Sequence, residues 1–130
     1  MIAKEVEIIL ARQWASYLAM PIFIVDPQGT LIYYNESAEH ILGRRFEETG
    51  EMPVAEWATL FKASDEAGKP LDSDTLPLVI ALAERRPARR DFWIRGLDDV
   101  LRHIEVSAFP LIGLGQRHLG AMAIVWEVSA

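Results

Sequence analysis

Residues 24–43, IVDPQGTLIYYNESAEHILG, decide how the rest of the chain is read. Residues 22–26 form a β-type run that enters Asp26-Pro27-Gln28-Gly29, a turn with proline where φ near about −65° is wanted and glycine where φ turns positive. Residues 30–34 return as a β-branched and aromatic strand, which makes the segment a hairpin. Asn35 then offers its carboxamide oxygen to the first free N–H groups of a helix, and Glu36 suits the helix's positive end. Gly43 supplies the left-handed residue that stops the helix. Asp26 thus serves the turn and Asn35 the cap, and neither needs a catalytic role.

Upstream, residues 3–20 repeat apolar side chains at helical spacing. Ala3, Val6, Leu10, Trp14 and Leu18 form one stripe, with Ile2, Ile9 and Tyr17 beside it and Lys4, Glu5, Glu7 and Arg12 opposite. Pro21 removes a donor and disfavours helical geometry at Met20, so the helix ends there. Downstream, residues 44–68 mix Gly50, Pro53 and scattered acids with Trp57, Leu60 and Phe61, which predicts short helical turns and loops. A further helix is expected after Asp74 as cap, with Pro77 in its first turn and Leu76, Val79, Ile80 and Ala83 as its buried stripe. Pro87 closes it.

Three strands follow, at residues 88–95, 100–109 and 119–128, separated by turns at 96–99 and 113–116. In the middle one Ile104, Val106 and Ala108 alternate with His103, Glu105 and Ser107, so one face is dry and the other partly wet. The last strand, AMAIVWEV, is apolar on both faces. Burying Met122, Ile124 and Trp126 is worth about 5 to 8 kcal/mol at roughly 25 cal/mol per Å². Leaving them in water is improbable, and the first helix is the available cover, either from the same chain or from a twin subunit in a homodimer. Two strands, several helices and three strands without βαβ alternation predict an α+β domain built on an antiparallel sheet.

Composition narrows the function. The 130 residues suffice for one domain with a real core. A formal charge of −6 opposes a nucleic-acid partner. No apolar run reaches the roughly 20 residues needed to span a bilayer, and the acidic N-terminus lacks a signal-peptide pattern, so the expectation is a cytoplasmic protein with no membrane partner. The chain has no cysteine, which removes disulfides, thiolate nucleophiles and cysteine-rich metal sites.

Taken in order, DPQGTLIYYNESAEHILG, GKPLDSDTLPLVIALAERRP, RHIEVSAFPLIG and GAMAIVWEVS resemble a PAS sensory domain over about residues 22–129. The resemblance implies a five-stranded antiparallel sheet in the order 2-1-5-4-3, with helices on one face around a small cavity. It divides the chain into a helix at 1–20, for capping or dimerisation, and a domain at 21–130. It implies a non-enzymatic sensing, dimerising or docking role in signal transduction, in a histidine kinase, cyclase or transcription-regulator system. Glu127, Val128 and Ser129 stand where the family often leads into an effector; the 130 residues hold none, and both a stand-alone domain and a piece of a longer protein fit.

The family's flavin photosensors use a cysteine after the capped helix, where this chain has GRRFEETG, so cysteine-adduct chemistry is excluded. Its haem sensors commonly offer a histidine from the long helix, and residues 74–86 contain none. The cofactor, signal and effector stay unassigned. Candidate pocket residues are Ile24, Trp57, Phe61, Val79, Ile104, Val106, Ala108, Ala121, Ala123 and Val125, where the alanines leave room for an apolar ligand. Candidate residues for a first-helix or dimer interface are Val6, Leu10, Trp14, Met122, Ile124 and Trp126. His40, His103 and His118 show no metal-ligand spacing. Arg85, Arg86, Arg89 and Arg90 bracket Pro87, as a solvated helix end or a dock for an acidic partner. The competing reading is a small α+β enzyme, of the isomerase or dehydratase kind, with His103 or Glu105 as acid or base.

Overall fold

A computed structural model describes residues 6–60, 62–95 and 99–128. The hairpin forms as its turn chemistry dictates, β1 (Ile22–Val25) pairing antiparallel with β2 (Leu31–Tyr34). The Asp26 carboxylate accepts the N–H groups of Gln28 and Thr30, each at 3.0 Å, and Gly29 adopts φ +87°. Before the hairpin runs α1 (Val6–Tyr17); after it comes α2 (Glu36–Leu42), stopped by Gly43 in the left-handed region. The connecting stretch holds α3 (Phe46–Thr49) and α4 (Val54–Leu60), then α5 (Pro77–Glu84). The chain closes with β3 (Ala88–Arg95), β4 (Leu101–Ile112) and β5 (His118–Glu127).

The sheet order is β2-β1-β5-β4-β3, antiparallel throughout. It separates two apolar layers. On the inner face Phe23, Ile104, Val106 and Val125 pack with Leu42, Trp57 and Leu78 from the helices. On the outer face Ile8 and Ala15 of α1 lie over Ile22, Ile24, Ile32 and Leu119, with Met122 and Ile124 packed at the margin. The cover expected for the last strand is therefore supplied within the same chain, except at Trp126, which stays 40% exposed.

Several details depart from the sequence expectations. The face of α1 turned to the sheet is Ile8, Ala11 and Ala15; Val6, Leu10 and Trp14 point away, at 66%, 51% and 73% exposure. In α5 the buried residues are Pro77, Leu78 and Ala81; of the expected stripe Leu76 is buried at the cap, whereas Val79 and Ile80 are half-buried and Ala83 exposed. PLVIALA is apolar on every side, so its period shows a helix without fixing the phase. Asp74 lies in the 3-10 turn Ser73–Thr75 and the residue at the α5 cap is Leu76, which makes no side-chain cap bond. Of the turn expected at 96–99, residues 96–98 lie outside the described residues.

Asn35 ties these layers together. It is 1% exposed, the one buried polar side chain among the described residues. Its carboxamide oxygen accepts the Ala38 N–H at 3.1 Å, which caps α2, and the Ile22 N–H at 3.0 Å, which fixes the start of β1. Its amide group donates to the carbonyls of Ala15 at 2.7 Å and Met20 at 2.8 Å, so the last turn of α1 and the link to β1 are held by the same side chain. Two acceptor and two donor roles are filled, and the burial costs little.

Asn35→Ala orphans these groups together and is expected to cost about 3 kcal/mol in urea unfolding, more than a cap alone. Asn35→Asp keeps the cap oxygen but turns an acceptor toward the Ala15 and Met20 carbonyls. It should lose about 2 kcal/mol, with faster amide exchange in α1 than in α2. A loss below about 1 kcal/mol for Asn35→Ala would contradict this assignment.

Candidate functional site

Between the sheet and the helices lies a cavity of ≈ 60 Å³. Strands supply Phe23, Phe92, Ile94, Ile104, Val106, Ala123 and Val125; Ile41, Leu42, Trp57, Ala63, Leu76, Pro77 and Leu78 close it from the helical side. Every one of these residues is apolar, and the indole N–H of Trp57 is turned to the Gly29 carbonyl at 2.8 Å. The cavity offers a guest van der Waals contact and no anchoring charge. At this size it falls well short of the roughly 300–1,000 Å³ of ordinary small-molecule sites.

The pocket candidates divide accordingly. Trp57, Ile104, Val106, Ala123 and Val125 line the cavity. Ala108 and Ala121 are fully buried in the same core but beside it, and Val79 packs against the core from farther out. Ile24 is on the opposite face, under α1, because β1 alternates and Phe23 and Val25 take the inward positions. Phe61 lies outside the described residues. Among lining residues outside the candidate set, Phe92 and Ile94 were readable from alternation in β3; Ile41, Ala63 and Leu78 belong to segments whose phase the sequence leaves open.

The outer sheet face has a second, polar part over β3 and β4. His103 shares a hydrogen bond with Asp91 at 2.9 Å and stacks on Trp93, ring centroids 4.6 Å apart and planes 10° from parallel. The bond to His103 holds the Asp91 carboxyl below the usual carboxylate range. Glu105 pairs with Arg89. His103 and Glu105 thus face away from the cavity, each engaged with a neighbour, which is no arrangement for acid-base work on a guest inside. His118 sits at the start of β5, its imidazole held below its ordinary range by burial and by Arg85. Among the described residues no group of three His, Asp or Glu is placed to hold a metal ion, and no helix is long and apolar enough to cross a membrane.

The remaining surface feature is the outward side of α1. Val6, Ile9, Leu10, Trp14, Tyr17 and the following Leu18 are between 43% and 87% exposed. Together they present on the order of 700 Å², above the largest apolar patch of a typical monomer. The charges of this helix are turned elsewhere, Glu7 to Arg117 at 3.0 Å and the Arg12 guanidinium over the Tyr33 ring at 4.8 Å.

Comparison with known proteins agrees with the geometry. A family model described as the PAS fold matches residues 16–130. No curated protein sequence matches significantly. Among solved structures, a PAS domain of a Colwellia psychrerythraea protein is 19% identical with a TM-score of 0.65, covering 93% of this chain and 96% of that one. The PAS domain of nitrogen regulation protein NR(II) from Vibrio parahaemolyticus is also 19% identical, TM-score 0.65, covering 92% and 98%. A Rhodobacter sphaeroides LOV protein is 11% identical with a TM-score of 0.72, covering 96% of this chain and 69% of that one. At these identities the likeness to solved structures is one of fold.

The cavity makes a testable distinction between two neighbouring alanines. Ala123→Val adds carbons where there is space and should leave stability within about 0.5 kcal/mol of the parent or raise it, whereas Ala121→Val, in close-packed core, should cost about 1–3 kcal/mol. Denaturant midpoints at unchanged m value decide it; equal losses at both positions would mean the cavity is filled.

Proposed function

The chain belongs to the PAS family, and on that footing we propose that it is a sensory or regulatory module of a signalling system that works by association and not by turnover. Residues 21–130 form the body of the module, and the helix within residues 1–20 is its dimerisation element. The observation that carries this reading is the outward face of α1, with five large apolar side chains exposed on the helix and Leu18 just after it, while the other face is already satisfied. A second copy is the favoured occupant. The face is apolar and uncharged, so two copies can meet across a two-fold axis without opposing charges even in a chain of net charge −6. Its area approaches the roughly 800 Å² per partner of a standard interface.

The cavity is the sensing element in this scheme. Its size and wholly apolar wall fit a small nonpolar molecule and fall short of a flavin or a haem unless the helices move. The absence of cysteine leaves no route to a cysteine adduct. A guest would act through the sheet, whose inner side lines the cavity and whose outer side seats α1. The non-enzymatic reading is supported by the lack of any titratable group in the cavity wall and by the outward placement of His103 and Glu105.

Sedimentation equilibrium of the full chain is expected to give twice the monomer mass at micromolar concentration. Leu10→Glu with Trp14→Glu should sediment as a monomer with an unchanged circular dichroism spectrum, since both side chains point to solvent in the single chain. A monomeric parent, or a variant that stays dimeric, would overturn the proposal.

A further inference from the structure

β3 is an edge strand, and only part of its open edge is covered. Trp93 exchanges two backbone hydrogen bonds with Ser64, at 2.8 and 2.9 Å, on the side away from β4. Trp93 and its β4 neighbour His103 are therefore a non-hydrogen-bonded pair. The β3–β4 register runs uninterrupted from Ala88 opposite Ala108 to Arg95 opposite Leu101. Two-residue alternation then turns the backbone N–H and C=O of Asp91 and Arg89 to the same open side as those of Trp93. Among the described residues no strand or loop pairs with them there.

The uncovered half is also where the cations gather. Arg85, Arg86, Arg89 and Arg90 are all exposed. Arg86 is paired with Glu84 at 2.9 Å and Arg89 with Glu105, while Arg85 and Arg90 have no ion pair among the described residues. The Asp91 carboxylate is occupied by His103. Backbone groups without a strand partner among the described residues thus lie beside four arginines, two of them without an ion pair there, on a protein of net charge −6.

We propose that the β3 edge at residues 88–91 docks an acidic, extended segment of a partner protein, which adds to the sheet as a further strand. Backbone pairing supplies the affinity and the arginines select the sign of the charge. Edge arginines are also a means of keeping identical edges apart. That repulsion excludes a second copy as the occupant and leaves a strand of opposite charge as the complement. The site is separate from the α1 face and does not depend on the oligomeric state.

The test uses a synthetic decapeptide of alternating Glu and Val titrated into the ¹⁵N-labelled full chain. Amide shifts are expected to centre on residues 88–92, and the Lys-Val peptide should produce none. Arg85→Glu with Arg90→Glu should weaken binding about tenfold or more. Arg89→Ala and Arg89→Pro both remove the guanidinium, but only proline removes the outward N–H, and at an edge position it leaves the β3–β4 ladder intact. The proline variant should therefore bind about fivefold more weakly than the alanine variant. Methylating alternate backbone nitrogens of the Glu-Val peptide should abolish binding without touching the protein. Shifts elsewhere or none, binding of the Lys-Val peptide, or undiminished binding of the methylated peptide would each overturn the proposal.

Discussion

The structure depends on one carboxamide. Asn35 ends the hairpin, caps α2, fixes the first residue of β1 and holds one carbonyl in the last turn of α1 and one in the link that follows. Each bond alone is modest, about 1 kcal/mol net, but all are made by a group withdrawn from water, where leaving any partner unmade costs more than making it gains. The position of α1 over the sheet follows from this. The tether sets the end of the helix, and α1 meets Ile22 and Ile24 with Ile8, Ala11 and Ala15 in place of its larger residues.

α1 thus has two apolar faces with different duties. The small-residue face completes the outer layer of the fold, and the large-residue face is left without a cover in the single chain. The sheet has a corresponding division. Its inner side meets the helices around a cavity without polar groups, while its outer side is apolar under α1 and polar over β3 and β4, where Asp91, His103 and Trp93 interlock. Such a layout suits a domain that passes a packing change in the core to the helix on its back.

Much of this was legible in the sequence because it rests on local chemistry. The Asp26 to Gly29 turn, the Asn35 cap, the Gly43 stop and Pro77 in the first turn of α5 each have a reason within four residues. Alternation in β4 and β5 placed Ile104, Val106, Ala108, Ala121, Ala123 and Val125 on the inner face. The illegible parts depend on partners distant in sequence. Nothing local to Asn35 announces its bonds to Ala15 and Met20. The stripe Val6, Leu10, Trp14 was expected to meet the sheet or a twin subunit, and the residues that meet the sheet are Ile8, Ala11 and Ala15. Ile24 was placed in the cavity although the pleat alone turns it to the other face, opposite Phe23 and Val25. The pairing of Trp93 with Ser64, which leaves half an edge open, arises from a loop with no strand signal.

The central claim is that α1 is fastened to its own subunit's sheet by Asn35 and meets its twin with the opposite face. An isotope-filtered NOE experiment on a sample mixed from ¹³C-labelled and unlabelled chains tests this directly, because it separates contacts within a subunit from contacts between subunits. The account predicts intersubunit NOEs at Leu10 and Trp14, with Ile8 and Ala15 showing only intrasubunit NOEs to Ile22 and Ile24. Intersubunit NOEs from Ile8 or Ala15 to the sheet, the signature of an exchanged helix, would contradict it, as would the absence of any intersubunit NOE from α1.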